Sequence, residues 1–150
     1  MNQEKPTRVR WTVFVLACLT SWFLYLHRYS WGVIKPQIQK EFPDLNGEML
    51  GVLDSVFHLT YALGQSPGGV GGDLFGPRAL LSGMILIWSG AVAATGMVSG
   101  VWGFSTVRAF FGFAQAGTYP NLGKVTRSWF PLRIRTSVQG MVASFSGRAG

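Results

Sequence analysis

Acidic residues are scarce in this chain: 6 Asp and Glu stand against 13 Lys and Arg in 150 residues, and charged residues make up only 13% of the whole. A soluble domain carries roughly 25% charged residues, so there is too little here to cover an ordinary water-facing surface. Cysteine is scarcer still. The single Cys18 excludes an internal disulfide, and its place inside an apolar run gives it the part of a small apolar filler. Histidine occurs twice, and no zinc-ligand spacing, nucleophile elbow or carboxylate pair can be found. Enzyme chemistry therefore has no foothold, and no metal or cofactor is called for.

Apolar residues and glycine are what the chain has in plenty: 48% hydrophobic, 20 glycines and a mean hydropathy of +0.27. About 20 apolar residues in helical form cross the roughly 30 Å hydrocarbon core of a bilayer, so the composition points to an all-α membrane protein with lipid as its solvent. A net charge of +7 would suit a nucleic-acid binder, but the basic residues lie between apolar runs rather than along one polar stripe. No nucleic-acid partner is expected. The N-terminus, with Lys5, Arg8 and Arg10 before an apolar run, has the outline of a signal peptide. That run is too long, lacks a small-residue cleavage site and is followed by further apolar segments.

Four apolar segments and the start of a fifth can be read, over about 11–34, 46–70, 79–98, 101–125 and 136–150. Pro36 lies just beyond the first, followed by the polar loop QIQKEFPDLN, and Asp44 or Asn46 is a candidate cap for the second. The connector SPGGVGGDLFGPR reads as a tight turn whose small residues let two helices approach, with Asp73 and Arg78 capping or cross-linking helix ends. It lacks a preceding strand, a GK[ST] element and GxGxxG spacing, which argues against nucleotide binding. A cytoplasmic N-terminus puts Lys5, Arg8, Arg10, Arg78, Lys124, Arg127, Arg133 and Arg135 inside, and only Lys35 and Lys40 outside. The expected setting is a multi-pass protein of a plasma or inner membrane.

Removing the loop residues leaves Arg28, Arg108 and Arg148 within the segments, with the acid Asp54 and the histidines His27 and His58. At a helical rise of about 1.5 Å per residue, Arg28, Asp54 and Arg108 each lie roughly 10 to 12 Å below the outer face, and Arg148 reaches a similar level from the inner face. Intramembrane charges usually face a bundle interior or an aqueous cavity and mark a substrate path. Three cations for one acid in low-dielectric walls favour an anion, and guanidinium matches carboxylate or phosphate in two-pronged geometry. Two blander readings compete with this one. Arg28 and Arg108 are able to snorkel toward headgroups, and Arg148 is able to bridge Asp54 as a structural pair.

His27 and His58 are weaker signals, each open to a hydrogen-bonding or a proton-handling reading. Tyr29, Tyr61, Gln65, Gln115 and Tyr119 are candidate polar contacts, for a ligand or between helices. In RAFFGFAQAG, Arg108, Gly112 and roughly Gln115 share one helical face, where the small residue permits close packing.

These residues resemble the major facilitator superfamily. Gly69, Gly72, Asp73, Gly76 and Arg78 are similar to its signature between spans two and three, G-x-x-x-D-R-x-G-R-R, with Leu74 and Pro77 replacing two basic residues. Arg108 with Gly112 resembles the R-x-x-x-G signature of span four. The stretch FGFAQAGTYPNLGKVTRSWFPLRIRTSVQG is similar to the span four to five region of the anion:cation symporter branch and its organophosphate:phosphate antiporter relatives.

The resemblance implies a twelve-helix bundle in two halves rocking around a central site. It implies that Arg28 takes the position of the anion-binding arginine of span one. Gly69, Asp73, Gly76 and Arg78 become a conformational loop. His27 and Gln115 stand where proton-coupled members carry acids, so the coupling ion is left open between a proton, sodium and a counter-anion. The cargo implied is a small organic anion, a sugar acid or an organophosphate. On this resemblance the chain reads as the N-terminal part of a helical bundle, four transmembrane helices plus the start of a fifth. A non-transporting scaffold or partner subunit is the alternative.

Overall fold

The computed structural model describes residues 8–146, and among these it contains helices and no strand. Six helices follow in order: α1 (Arg8–Glu41), α2 (Gly47–Leu74), α3 (Pro77–Thr95), α4 (Gly100–Ala116), α5 (Thr118–Trp129) and α6 (Leu132–Ser146). Large apolar side chains point outward along them: Leu63, Leu86, Trp102 and Phe110 are each more than half exposed. Such surfaces suit lipid and not water. By length and composition α1 and α3 are long and apolar enough to cross a membrane.

Two compact units can be distinguished, one of the chain up to Tyr29 together with that from Leu122 onward, the other of Ser30–Asn121. In the first, the buried apolar residues are Ala17, Cys18 and Leu24 from α1, Leu122 from α5, Phe130 in the link, and Val138 and Val142 from α6. Phe14 meets Phe130 edge-on, and the Arg10 guanidinium lies 6.0 Å from the Phe130 ring centre. Arg135 closes the end of α5 by donating from Nε to Phe130 O and from an NH2 nitrogen to Arg127 O, each at 2.7 Å. The last carbonyls of a helix have no partner inside it, and a basic side chain supplies one here.

In the second unit α2 packs along α4, and α3 packs on α4. Glycine makes the α2–α4 approach possible. A Cβ on Gly68 would stand 2.5 Å from Gly117 Cα, and one on Gly112 would stand 2.5 Å from Phe57 O. In lipid there is no hydrophobic drive between helices, so close van der Waals packing of small residues holds them together. One end of this unit is closed by an apolar cluster of Trp31, Ile38, Leu45, Leu50, Leu53 and Phe104, with Phe42, Val98 and Val101 against it. Asn46 caps α2 there, its Oδ1 accepting from Met49 N at 2.9 Å.

The helix limits depart from the apolar runs at three places, each involving proline. The first helix does not stop before Pro36 but runs through it to Glu41. Proline removes one backbone bond, and Trp31 before it and Ile38 after it, both buried, tie the turns on either side into the apolar cluster and outweigh that loss. The connector SPGGVGGDL is likewise helical across Pro67, and the turn is confined to Phe75 and Gly76, with Gly76 at φ 80° and Pro77 opening α3. The reverse occurs over 101–125. That run is two helices, broken at Gly117, because Pro120 lacks the N–H that would bond Ala116 O and its ring opposes that carbonyl. Asn121 braces the chain beside the break: its Nδ2 donates to Gly117 O at 2.7 Å and to Gly68 O at 2.9 Å.

Candidate functional site

Charge gathers in the second unit around Asp54, on the second turn of α2. Three donors from two other helices converge on its carboxylate. Trp31 Nε1 donates to Oδ1 at 2.8 Å, an Arg108 NH2 nitrogen donates to Oδ1 at 3.3 Å, and the Lys35 ammonium pairs with Oδ2. Each helix contributes two residues one turn apart: Trp31 and Lys35 on α1, Asp54 and Phe57 on α2, Arg108 and Phe111 on α4. Spacing of three or four residues is what puts both members of each pair on one face.

Aromatic rings enclose the Arg108 guanidinium. Its carbon lies 4.4 Å from the Trp31 ring centre, 4.6 Å from Phe57 and 5.8 Å from Phe111. Guanidinium is weakly hydrated and stacks on ring faces, so a cation otherwise costly in an apolar helix is accommodated. Exposure separates the three charges: the Arg108 side chain is 8% exposed, Lys35 28% and Asp54 32%. Arg108 forms the floor, and the other two form the rim. Two cations share one carboxylate, so the cluster retains a positive charge.

The structure brings together Asp54 and Arg108 among the residues singled out in the sequence. His58 lies one turn further along α2, its Nδ1 2.8 Å from the backbone Asp54 O and not on the carboxylate, and the Tyr61 ring stacks 6.0 Å from Phe57. Gln115 is fully buried two turns further along the same face of α4 as Arg108, and Tyr119 is half-buried on α5. Gly69 has Pro120 beside it, while Asp73 and Arg78 are exposed on either side of the Gly76 turn. His27 and Arg28 belong to the first unit, half-buried, with the His27 ring stacked 6.4 Å from Phe23 and the Arg28 guanidinium 5.2 Å from the Tyr25 ring centre. Arg148, and with it the pairing with Asp54, lies outside the described residues.

Three residues escape the sequence reading. Lys35 counts there as a loop residue beyond the first segment, and Trp31 as ordinary apolar content. Both follow from continuing the helix through Pro36, which sets Lys35 one turn beyond Trp31 and on the same face. Asn121, fully buried at the α4–α5 break, is a third. Its signal was the dipeptide Pro120–Asn121 inside an apolar run, where a proline frees a carbonyl and an amide side chain can take it.

Comparison with known proteins fits this picture. The family model of the Major Facilitator Superfamily matches residues 13–149. A probable galactarate/D-glucarate transporter of Pseudomonas putida is 32% identical over 96% of this chain and 33% of its own length. A D-galactonate transporter of Escherichia coli is 33% identical over 96% of the chain and 33% of its own. A probable sulfoacetate transporter of Cupriavidus necator is 30% identical over 98% and 34%. The chain thus spans about a third of the length of these curated relatives.

Proposed function

The chain belongs to the major facilitator superfamily, a family of integral membrane proteins, and we propose that it forms part of the pathway by which a small organic anion crosses a membrane. The cargo class is a sugar acid or related carboxylate, with an organophosphate as the neighbouring chemistry, and the transport cycle is alternating access without enzymatic conversion. The observation that carries this reading is the Lys35–Asp54–Arg108 cluster: two cations drawn to one carboxylate between apolar helices, with positive charge left over. Such a place attracts anions and repels cations. The acids in the relatives' names are of that charge.

Within this proposal Arg28, Arg108 and Arg148 are the cationic contacts to cargo, with Tyr61 and Tyr119 as polar contacts. His27, Asp54, His58 and Gln115 form the coupling network, and the turn of Gly69, Asp73, Gly76 and Arg78 carries the conformational change. The bias of basic residues supports a cytoplasmic N-terminus, and the setting proposed is a plasma or inner membrane.

The test is uptake of labelled D-galactonate, D-glucarate and a sugar phosphate by vesicles carrying the full-length gene product. Imposed proton and sodium gradients and preloaded anion distinguish the coupling ions. Arg28→Ala is expected to abolish uptake while the protein still inserts. Undiminished uptake by that variant removes Arg28 from the site, and indifference to all three anions removes the cargo class.

A further inference from the structure

We propose that the Asp54 carboxylate is a resident stand-in for the cargo, filling the anion seat between Lys35, Trp31 and Arg108 until a carboxylate from outside displaces it. The inference rests on the anion-carrier reading above and adds to it a competitor built into the chain. Three features of the cluster support it.

The first is where the donors come from. Trp31 and Lys35 stand on α1 and Arg108 on α4, so the seat is complete without α2, and Asp54 enters it from a third helix on a side chain one methylene long. Rotation about χ1 carries that carboxylate out to another staggered position, and the donors remain where they are. The second is charge. With Asp54 in place the cluster holds two cations and one anion, and a monocarboxylate added to it makes the count neutral. The third is access. The rings of Trp31 and Phe57 lie over Arg108, so an anion reaches the guanidinium along the edge turned to Asp54. That edge is approached from the Lys35 and Asp54 side, where each side chain is about a third exposed. The Arg108 contact to Asp54, at 3.3 Å, is longer than the roughly 2.7–2.9 Å of a strong charge-assisted bond, so it opens at little loss.

A competitor of this kind weakens cargo binding and tunes it toward monoanions. Its removal without change of shape is Asp54→Asn. That variant is expected to bind D-galactonate about tenfold more tightly and to gain more for the dianion D-glucarate, since the seat then holds both cations without the Asp54 charge. The displacement itself is visible in the unmodified protein. The Trp31 indole N–H, donated to Asp54 in the empty seat, passes to the incoming carboxylate, so its 15N–1H signal shifts saturably as D-galactonate is added to the full chain in detergent; loss of one signal in Trp31→Phe identifies the resonance. Saturable calorimetric binding with that signal unmoved overturns the stand-in, as does an Asp54→Asn variant that binds no more tightly than the parent. Both outcomes leave the anion reading intact. No saturable binding of either sugar acid to the parent chain, with neutral D-galactose as control, removes the anion reading and the stand-in together. Should Asp54→Asn fail to fold, the titration of the parent still decides.

Discussion

The two ends of the α2–α4 contact are held in opposite ways. Toward the C-terminal end of α2, Gly64, Gly68 and Gly72 face Ala116, Gly117 and Asn121 with scarcely a side chain between the backbones. Toward its N-terminal end the same helices are joined by an ion pair and a stack of aromatic rings around Arg108. The glycine end leaves little room for another arrangement, because a Cβ at Gly68 meets the Gly117 backbone and one at Gly64 or Gly72 meets the Ala116 or Asn121 side chain. The charged end is the opposite, since one carboxylate can be exchanged for another with the same donors. The proposed carrier role draws on both: a fixed seam against which parts move, and a polar seat whose occupant changes.

The largest effect is expected from breaking the fixed end. Gly68→Val brings a branched side chain against Gly117 Cα, and the helices have to separate. Overpacking typically costs 1–3 kcal/mol, and a clash with backbone belongs at or above about 3 kcal/mol. The expected outcome is loss of folded protein in detergent, read by size-exclusion chromatography and protease resistance. A folded Gly68→Val with parental protease resistance would show that the seam is looser than drawn.

At the charged end, Asp54→Ala leaves Arg108 buried beside Lys35 with no carboxylate. Breaking a buried pair costs about 3–5 kcal/mol, and a carboxylate one-third exposed lowers the figure to about 2 kcal/mol. Lys35→Met in the same chain should recover part of that loss by removing the second cation. The check is a double-mutant cycle on thermal stability. Simple additivity of the two changes would deny that Lys35 and Asp54 act as one cluster.

These two ends were unequally legible in the sequence. The helical character of the chain follows from its apolar runs, and the common layer of Arg108 and Asp54 follows from counting their depths, but depth alone does not pair them, and the pairing named in the sequence is Arg148 with Asp54. The packing role of small residues was also readable, though as a turn. What hid the rest was proline. Proline marks a helix end in water, where the freed carbonyl and the clash decide. Pro36 and Pro67, both exposed on their helices, are nevertheless passed through, and Lys35 is carried from a supposed loop into the cluster. Pro120 does break its helix, and what distinguishes it is Asn121, whose side-chain amide bonds both Gly117 O beside the break and Gly68 O on α2. No periodicity announces which of these happens, because the outcome depends on partners supplied by other helices.

Asn121 therefore offers a finer probe of the seam. Gly72→Ala puts a methyl 1.7 Å from the present position of Asn121 Oδ1, an atom held by the two bonds of its own amide. The single change is expected to destabilise by about 2 kcal/mol. Asn121→Ala alone loses two carbonyl contacts, worth about 0.6 kcal/mol each between helices in lipid. Combined, the two should cost less than their sum, because the obstacle to the new methyl has gone. A sum that is met or exceeded would place the strain elsewhere along α2.

The smallest effect expected is the most specific to the charged end. Trp31→Phe keeps a ring over Arg108 and removes the N–H donated to Asp54. A hydrogen bond to a charged group contributes about 1.5–3 kcal/mol at most, and here two cations still hold the carboxylate, so the expected loss is about 1 kcal/mol. Its consequence for binding has the opposite sign. With one donor fewer, the resident carboxylate is held less firmly, and so is an incoming one, and D-galactonate affinity should change by less than threefold. Comparison with Arg108→Lys completes the contrast: lysine keeps the charge but loses the planar face that stacks on Trp31 and Phe57, so stability should fall further than in Trp31→Phe although no charge has been lost. If Arg108→Lys is instead the milder of the two by thermal melting, the rings around Arg108 are packing that tolerates any cation, and the seat depends on charge alone.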